Sequence, residues 1–206
     1  MKYIDLTHLI SDGLPEWPGC GSVSLQETVT MQKDGVANHQ LNGSCHMGTH
    51  IDAPGHFIMD GKKISDYPVD QFIGRGVVID ARGQTEIGIE LVQDQVKAND
   101  IVLFYTGWSE RFYESNYFYD YPVISWACAR YLVNQKVKMV GIDTPSVDRA
   151  PFEVHKLLLG NEILIIENLM NVQAILGYNQ VEIVALPLKL DAHGAPARVV
   201  ALISEY

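Results

Sequence analysis

This chain is short of cysteine, of basic charge and of long apolar runs. Its three cysteines, Cys20, Cys45 and Cys128, stand far apart and include no Cys-x-x-Cys pair. An odd, dispersed set argues against a disulfide framework and for free thiols in a reducing compartment. Lysine and arginine number 15 against 25 acidic residues, for a net charge of −10, and the longest basic run is Lys62-Lys63. Binding a phosphate backbone needs clustered basic side chains, so a nucleic-acid partner is excluded. No stretch approaches the roughly 18 consecutive apolar residues of a membrane span. The opening MKYIDLTHLI carries Asp5 and His8 and lacks the apolar centre of a secretory signal. A cytoplasmic protein without a membrane partner is expected.

Enough is present to build a core. Hydrophobic residues make up 47% and charged residues 19% of the 206, which is too apolar for disorder. With no repeat, low-complexity tract or Pro/Ser/Gly-rich linker, a single domain over residues 1–206 is expected. Six apolar, β-branched runs read as strands: 76–80, 101–106, 138–143, 162–168, 181–190 and 198–205. Helical periodicity appears in IELVQDQVKA (89–98) and in SWACARYLVNQK (125–136), the latter with Ser125 as N-cap. Continuous buried strands mixed with helices imply an α/β fold, a mixed sheet with flanking helices that is at least partly parallel. The first 75 residues read as strands and loops.

HMGTHIDAPGHF (46–57) holds three of the seven histidines and an aspartate. His46, His50, Asp52 and His56 share one parity, so in an extended chain all four would project to the same side. Gly48 and Pro54 oppose a helix there. His50 and Asp52, roughly 6.6 Å apart along a strand, suit one metal ion. His46 and His50 would lie roughly 13 Å apart if fully extended, so the chain should turn between them, and Gly48 permits that. His56, beyond a proline, is better placed beside a metal than on it. Four such groups crowded together without a metal would have to satisfy one another. Cys45, of opposite parity, reads as a buried thiol, and His8, His39 and His193 as ordinary surface or core histidines. Glu167 ends the apolar run EILIIEN, where a core-facing carboxylate is costly unless paired or metal-bound. His155 lies twelve residues upstream on an expected helix, PFEVHKLLL.

The pattern His46-x-Gly48-Thr49-His50-x-Asp52-x-Pro54-x-His56-Phe57 resembles the signature of the cyclase-type metal-dependent hydrolases, which include bacterial kynurenine formamidase and isatin hydrolase. The segments at 4–19, 104–112, 140–148 and 155–171 resemble further elements of that family in the expected order. The resemblance implies the swivelling β/β/α fold and two divalent ions per chain, Zn2+ or Mn2+. His46, His50 and Asp52 would hold the first ion; Asp52 would bridge to a second, completed by His155 and Glu167. It assigns His56 as general acid/base and Trp17 to the substrate pocket, with Phe57 beside it, and a homo-oligomer is expected.

The chemistry expected is hydrolysis of an amide, first an aryl formamide, by hydroxide generated at a metal. Histidine, with a pKa near 7, suits proton delivery to the departing nitrogen. Aromatic walls suit an aryl amide as the small-molecule partner. In one departure, Cys20 follows Trp17-Pro18-Gly19 where formamidases usually carry an acidic residue. A cyclic-amide hydrolase is the alternative, and a metal- or small-molecule-binding protein without turnover is a third reading. A purely structural metal site favours cysteine, which this donor set lacks.

Overall fold

Alternation along the central strands explains the architecture seen in the computed structural model, which describes residues 1–204. In β7 (Ile101–Tyr105) every residue is buried. Ile101, Leu103 and Tyr105 join one apolar cluster and Val102 and Phe104 another. Both faces of the strand are therefore covered, which is why the run is continuously apolar rather than alternating. Four strands run parallel at the centre: β5 (Ile73–Asp80), β7, β9 (Met139–Ile142) and β10 (Leu164–Glu167). β11 (Val181–Pro187) joins β5 antiparallel, and β12 (Gly194–Ile203) pairs with β11. β1 (Lys2–Asp5) lies along the C-terminal half of β12. The short β4 (His50–Asp52) pairs with β10 on one side and with the start of β12 on the other. That second pairing closes the sheet on itself.

Side chains such as Ile51, Leu103, Leu164, Ile166, Ala195 and Val199 fill one face of this sheet. Val77, Ile79, Val140 and Ile165 face the other way, against Leu132 of α2 (Trp126–Gln135) and Leu158 of α3 (Glu153–Gly160). Ser125 caps α2 as expected, its side chain accepting from the Cys128 N–H at 3.1 Å. A separate hairpin, β2 (Ser24–Val29) with β3 (Asn38–Asn42), stands off the sheet. α1 (Met31–Asp34) sits between its strands. A third small sheet joins β6 (Glu86–Ile87) to β8 (Val123–Ile124). Among the described residues no helix is long and apolar enough to cross a membrane.

The α/β expectation and the mixed sheet hold; the helix expected over 89–98 does not. Only a 3-10 turn, Ile89–Leu91, forms there. Val92 and Val96 are buried as the periodicity requires. However, Asp94 (φ 64°), in the middle of the run, adopts left-handed backbone, which an α-helix cannot contain. The carboxylate of Asp100 also captures the Lys97 N–H at 2.6 Å, tying the segment down as a loop. The last expected strand runs 194–203, and Glu205, at its expected end, lies outside the described residues.

His8 is buried and stacked on Phe112, ring centroids 3.8 Å apart, with its Nε2 unpartnered among the described residues. Burial pushes its pKa down to about 4. An unfolded histidine titrates near 6.5, so between those values the unfolded chain binds the extra proton and stability falls with pH. The loss is absent above pH 6.5 and reaches on the order of 3 kcal/mol by pH 4. His8→Phe is expected to flatten that limb, read as a smaller drop in Tm between pH 7 and pH 5. An unchanged drop would show that His8 does not carry it.

Candidate metal centre and substrate pocket

Three elements bring the acidic and imidazole groups together. β4 sits between β10 and β12, with His50 directly opposite Glu167 and Asp52 opposite Gly194. Only 50–52 is strand. Residues before it turn through Gly48, whose φ of +58° L side chains rarely adopt, and Pro54–His56 form a 3-10 turn. The turn expected at Gly48 is present, and a second at 54–56 limits the extended face to 50–52; the two turns swing His46 and His56 back over that strand. Gly194 makes room for this: a Cβ there would lie 2.5 Å from His46 Cε1. α3 supplies His155 from the helix that precedes β10.

The result is two donor triples that share a residue. His46, His50 and Asp52 form one, and Asp52, His155 and Glu167 the other, with donor atoms in each within 4.8 Å of one another. His46 Nδ1 lies 2.6 Å and His50 Nε2 3.5 Å from Asp52 Oδ1. His155 Nε2 lies 3.1 Å from Glu167 Oε1 and 3.7 Å from Asp52 Oδ2. Asp52 Oδ2 is buried and has no hydrogen-bond partner among the described residues. An orphaned buried carboxylate oxygen is costly, and a cation between these imidazoles and carboxylates removes the cost. The set of imidazole and carboxylate donors fits a divalent metal.

Hydrogen bonds behind the donors fix which nitrogen faces the cluster. His50 Nδ1 donates to the Gly48 carbonyl at 2.8 Å, which leaves Nε2 as the lone-pair nitrogen. His155 Nδ1 donates to Asp148 Oδ1 at 2.5 Å, so its Nε2 too points inward. Asp148 Oδ2 accepts from the Val154 and His155 N–H groups, so one carboxylate both caps α3 and aims its histidine. Asn168 donates from Nδ2 to the same Gly48 carbonyl at 3.0 Å and accepts at Oδ1 from the Tyr117 hydroxyl at 2.8 Å. Sequence reasoning passed over Asp148 and Asn168. Each lies at the edge of a segment already singled out, yet nothing in spacing shows which histidine a carboxylate will back.

Charge follows the same geometry. Burial opposes ionisation of Asp52, but the nearby His155 imidazole and the hydrogen bond from His46 hold its carboxyl well below the usual range. Against the same desolvation, Asp148, Asp52 and Glu167 raise His155 well above its ordinary pKa. Asp52 likewise raises His46 despite burial. His56 behaves oppositely. Desolvation lowers its pKa, Asp52 partly offsets this, and His46, His155 and His50 add to the lowering. The ring is exposed at one side, which limits the effect, and the imidazole is neutral at pH 7. It stacks on His46 with centroids 4.1 Å apart, lies 6.4 Å from the His155 ring, and belongs to neither triple.

Above the clusters opens a cleft of about 250 Å³. Trp17, Phe57, Phe118 and Phe152 line it. Phe118 meets Trp17 edge to face, with centroids 5.8 Å apart. Cys20 lines the cleft and is exposed, Cys128 is buried, and Cys45 is only half-buried, contrary to the buried thiol expected; all three are free.

Asp148→Asn is expected to weaken metal binding at the His155 cluster roughly 10–100-fold, the usual effect of removing such a backing carboxylate. Competition with a chromogenic chelator reads this directly. Affinity equal to wild type would show that Asp148 serves the helix alone.

A family model described as "Putative cyclase" matches residues 4–149. The chain is 31% identical to a kynurenine formamidase of Bacillus cytotoxicus, over 97% of this chain and 96% of that one. It is 34% identical to a kynurenine formamidase of Geobacillus thermodenitrificans, over 95% of each. Among solved structures, isatin hydrolase A from Labrenzia aggregata bound to benzyl benzoate superposes with a TM-score of 0.86 and 25% identity, covering 99% of this chain and 94% of that one. The chain belongs to the cyclase family.

Proposed function

We propose that this protein is a metal-dependent amide hydrolase acting on an aryl amide, first an aryl formamide of the N-formylkynurenine type. The observation that carries the reading is Asp52, shared by two donor triples at the floor of an aromatic cleft where one further imidazole stays outside both. His46, His50 and Asp52 would hold one divalent ion, and Asp52, His155 and Glu167 a second, zinc or manganese by their donor chemistry. When bound, such ions supply an acidified water and a polarised carbonyl at neutral pH. Trp17, Phe57 and Phe118 hold the aryl ring by stacking and exclude water from it. His56, neutral and facing the cleft, takes up a proton and delivers it to the departing nitrogen. Similarity to the formamidases supports an open-chain formamide. Likeness to isatin hydrolase A supports a cyclic amide as the second reading.

Elemental analysis of protein purified without chelator should find close to two equivalents of transition metal. Less than about half an equivalent, with none gained on reconstitution, would remove the metalloenzyme reading. N-formylkynurenine and then isatin, offered to the loaded protein, separate the two substrates, and turnover of neither removes both names. A homo-oligomer is also proposed, supported by the hairpin that holds Met31, Val36 and Leu41 exposed away from the sheet. A monomer by light scattering at micromolar concentration would overturn that.

A further inference from the structure

The carboxylate of Glu16 has no part in the reading above, although it lines the same cleft. Its Oε1 accepts from the Ser44 N–H at 3.1 Å, and Ser44 Oγ accepts from the His46 N–H at 3.1 Å. Glu16 is thereby fastened to the rim from which His46 reaches the cluster. Its Oε2 is buried and has no hydrogen-bond partner among the described residues. The residue as a whole is half-buried at the cleft wall, and among the described residues no cationic side chain forms an ion pair with it, which leaves its carboxylate group to be matched by a ligand N–H or ammonium. The surroundings favour a cation: Trp17, Phe118 and Phe152 present aromatic surface to the cleft, and among the described residues no lysine or arginine lines it.

We propose that Glu16 determines specificity by binding a protonated amine carried on the aryl part of the substrate. The inference rests on the aryl-amide reading and names the substrate class within it: amides that place an ammonium group at Glu16 are selected over those that place a carboxylate there. A carboxylate in the same place would meet Glu16 as a like charge, with no lysine or arginine of the cleft wall to pair it.

The test compares metal-loaded wild type with Glu16→Gln on three compounds: formanilide, its para-(aminoethyl) derivative and its para-(carboxyethyl) derivative. Glutamine keeps an oxygen to accept from Ser44 and sets an uncharged amide where Oε2 stands, so the rim is preserved while the charge is lost. For wild type, kcat/KM for the aminoethyl compound should exceed that for formanilide about 10-fold, mainly through KM, as a charge-assisted hydrogen bond implies. In Glu16→Gln that ratio should fall to within about twofold. Calorimetric binding of para-(aminoethyl)aniline and para-ethylaniline should show the same preference and the same loss without any turnover. If none of the formanilides is hydrolysed but the binding preference appears and depends on Glu16, the aryl-formamide reading fails and the Glu16 assignment stands. Equal binding of the two anilines by wild type, a preference that survives in Glu16→Gln, or better use of the carboxyethyl compound would overturn the assignment.

Discussion

Asp52→Ala is expected to lose both equivalents of metal and all activity above background, whereas His155→Ala should lose close to one equivalent. The difference comes from position. Asp52 alone belongs to both donor triples, and its two oxygens face different imidazoles: Oδ1 faces His46 and His50, and Oδ2 faces His155. Removing it leaves each set with two donors, too few to compete with water for a zinc-like ion. His155→Ala leaves His46, His50 and Asp52 intact and empties only the second set. Metal content by mass spectrometry, with far-UV circular dichroism to confirm the fold, reads both. One equivalent retained in Asp52→Ala would show that the triples do not share a bridging ligand.

His56→Ala should do the reverse, keeping full metal content and losing roughly 10²–10⁴-fold in kcat, the usual contribution of a general acid/base. Its ring stacks on His46 without entering either triple, so removing it subtracts no ligand. Residual activity should lose the pH limb that this imidazole carries. Metal loss as large as in His46→Ala would make His56 a ligand. Full metal with full rate would leave proton delivery to another group.

Much of this site was legible from residues 46–57 because the donors lie close along the chain, and parity and the Gly48 turn constrain how they can meet. Gly48 does turn the chain, and the His56 ring lies outside both donor triples. Glu167 could be suspected for a different reason, since a carboxylate ending an apolar strand is costly unless something holds it. The central strands were equally plain, because burial on both faces leaves a continuous β-branched run in the sequence. Less was visible where a contact overrides local preference. Residues 89–98 carry helical periodicity, yet the Asp100 carboxylate and the left-handed Asp94 keep them as a loop.

The sequence by itself determined which donors exist, their order and the strands that carry them, since these follow from side-chain chemistry and short-range periodicity. Only the tertiary structure decided that β4 lies between β10 and β12, which sets His50 opposite Glu167 and leaves room at Gly194 for His46. It also decided that Asp148 backs His155, that Asn168 reaches the Gly48 carbonyl across 120 residues of chain, and that Glu16 joins the cleft. Such pairings depend on how the closed sheet brings distant segments together, and spacing along a chain carries no record of that distance.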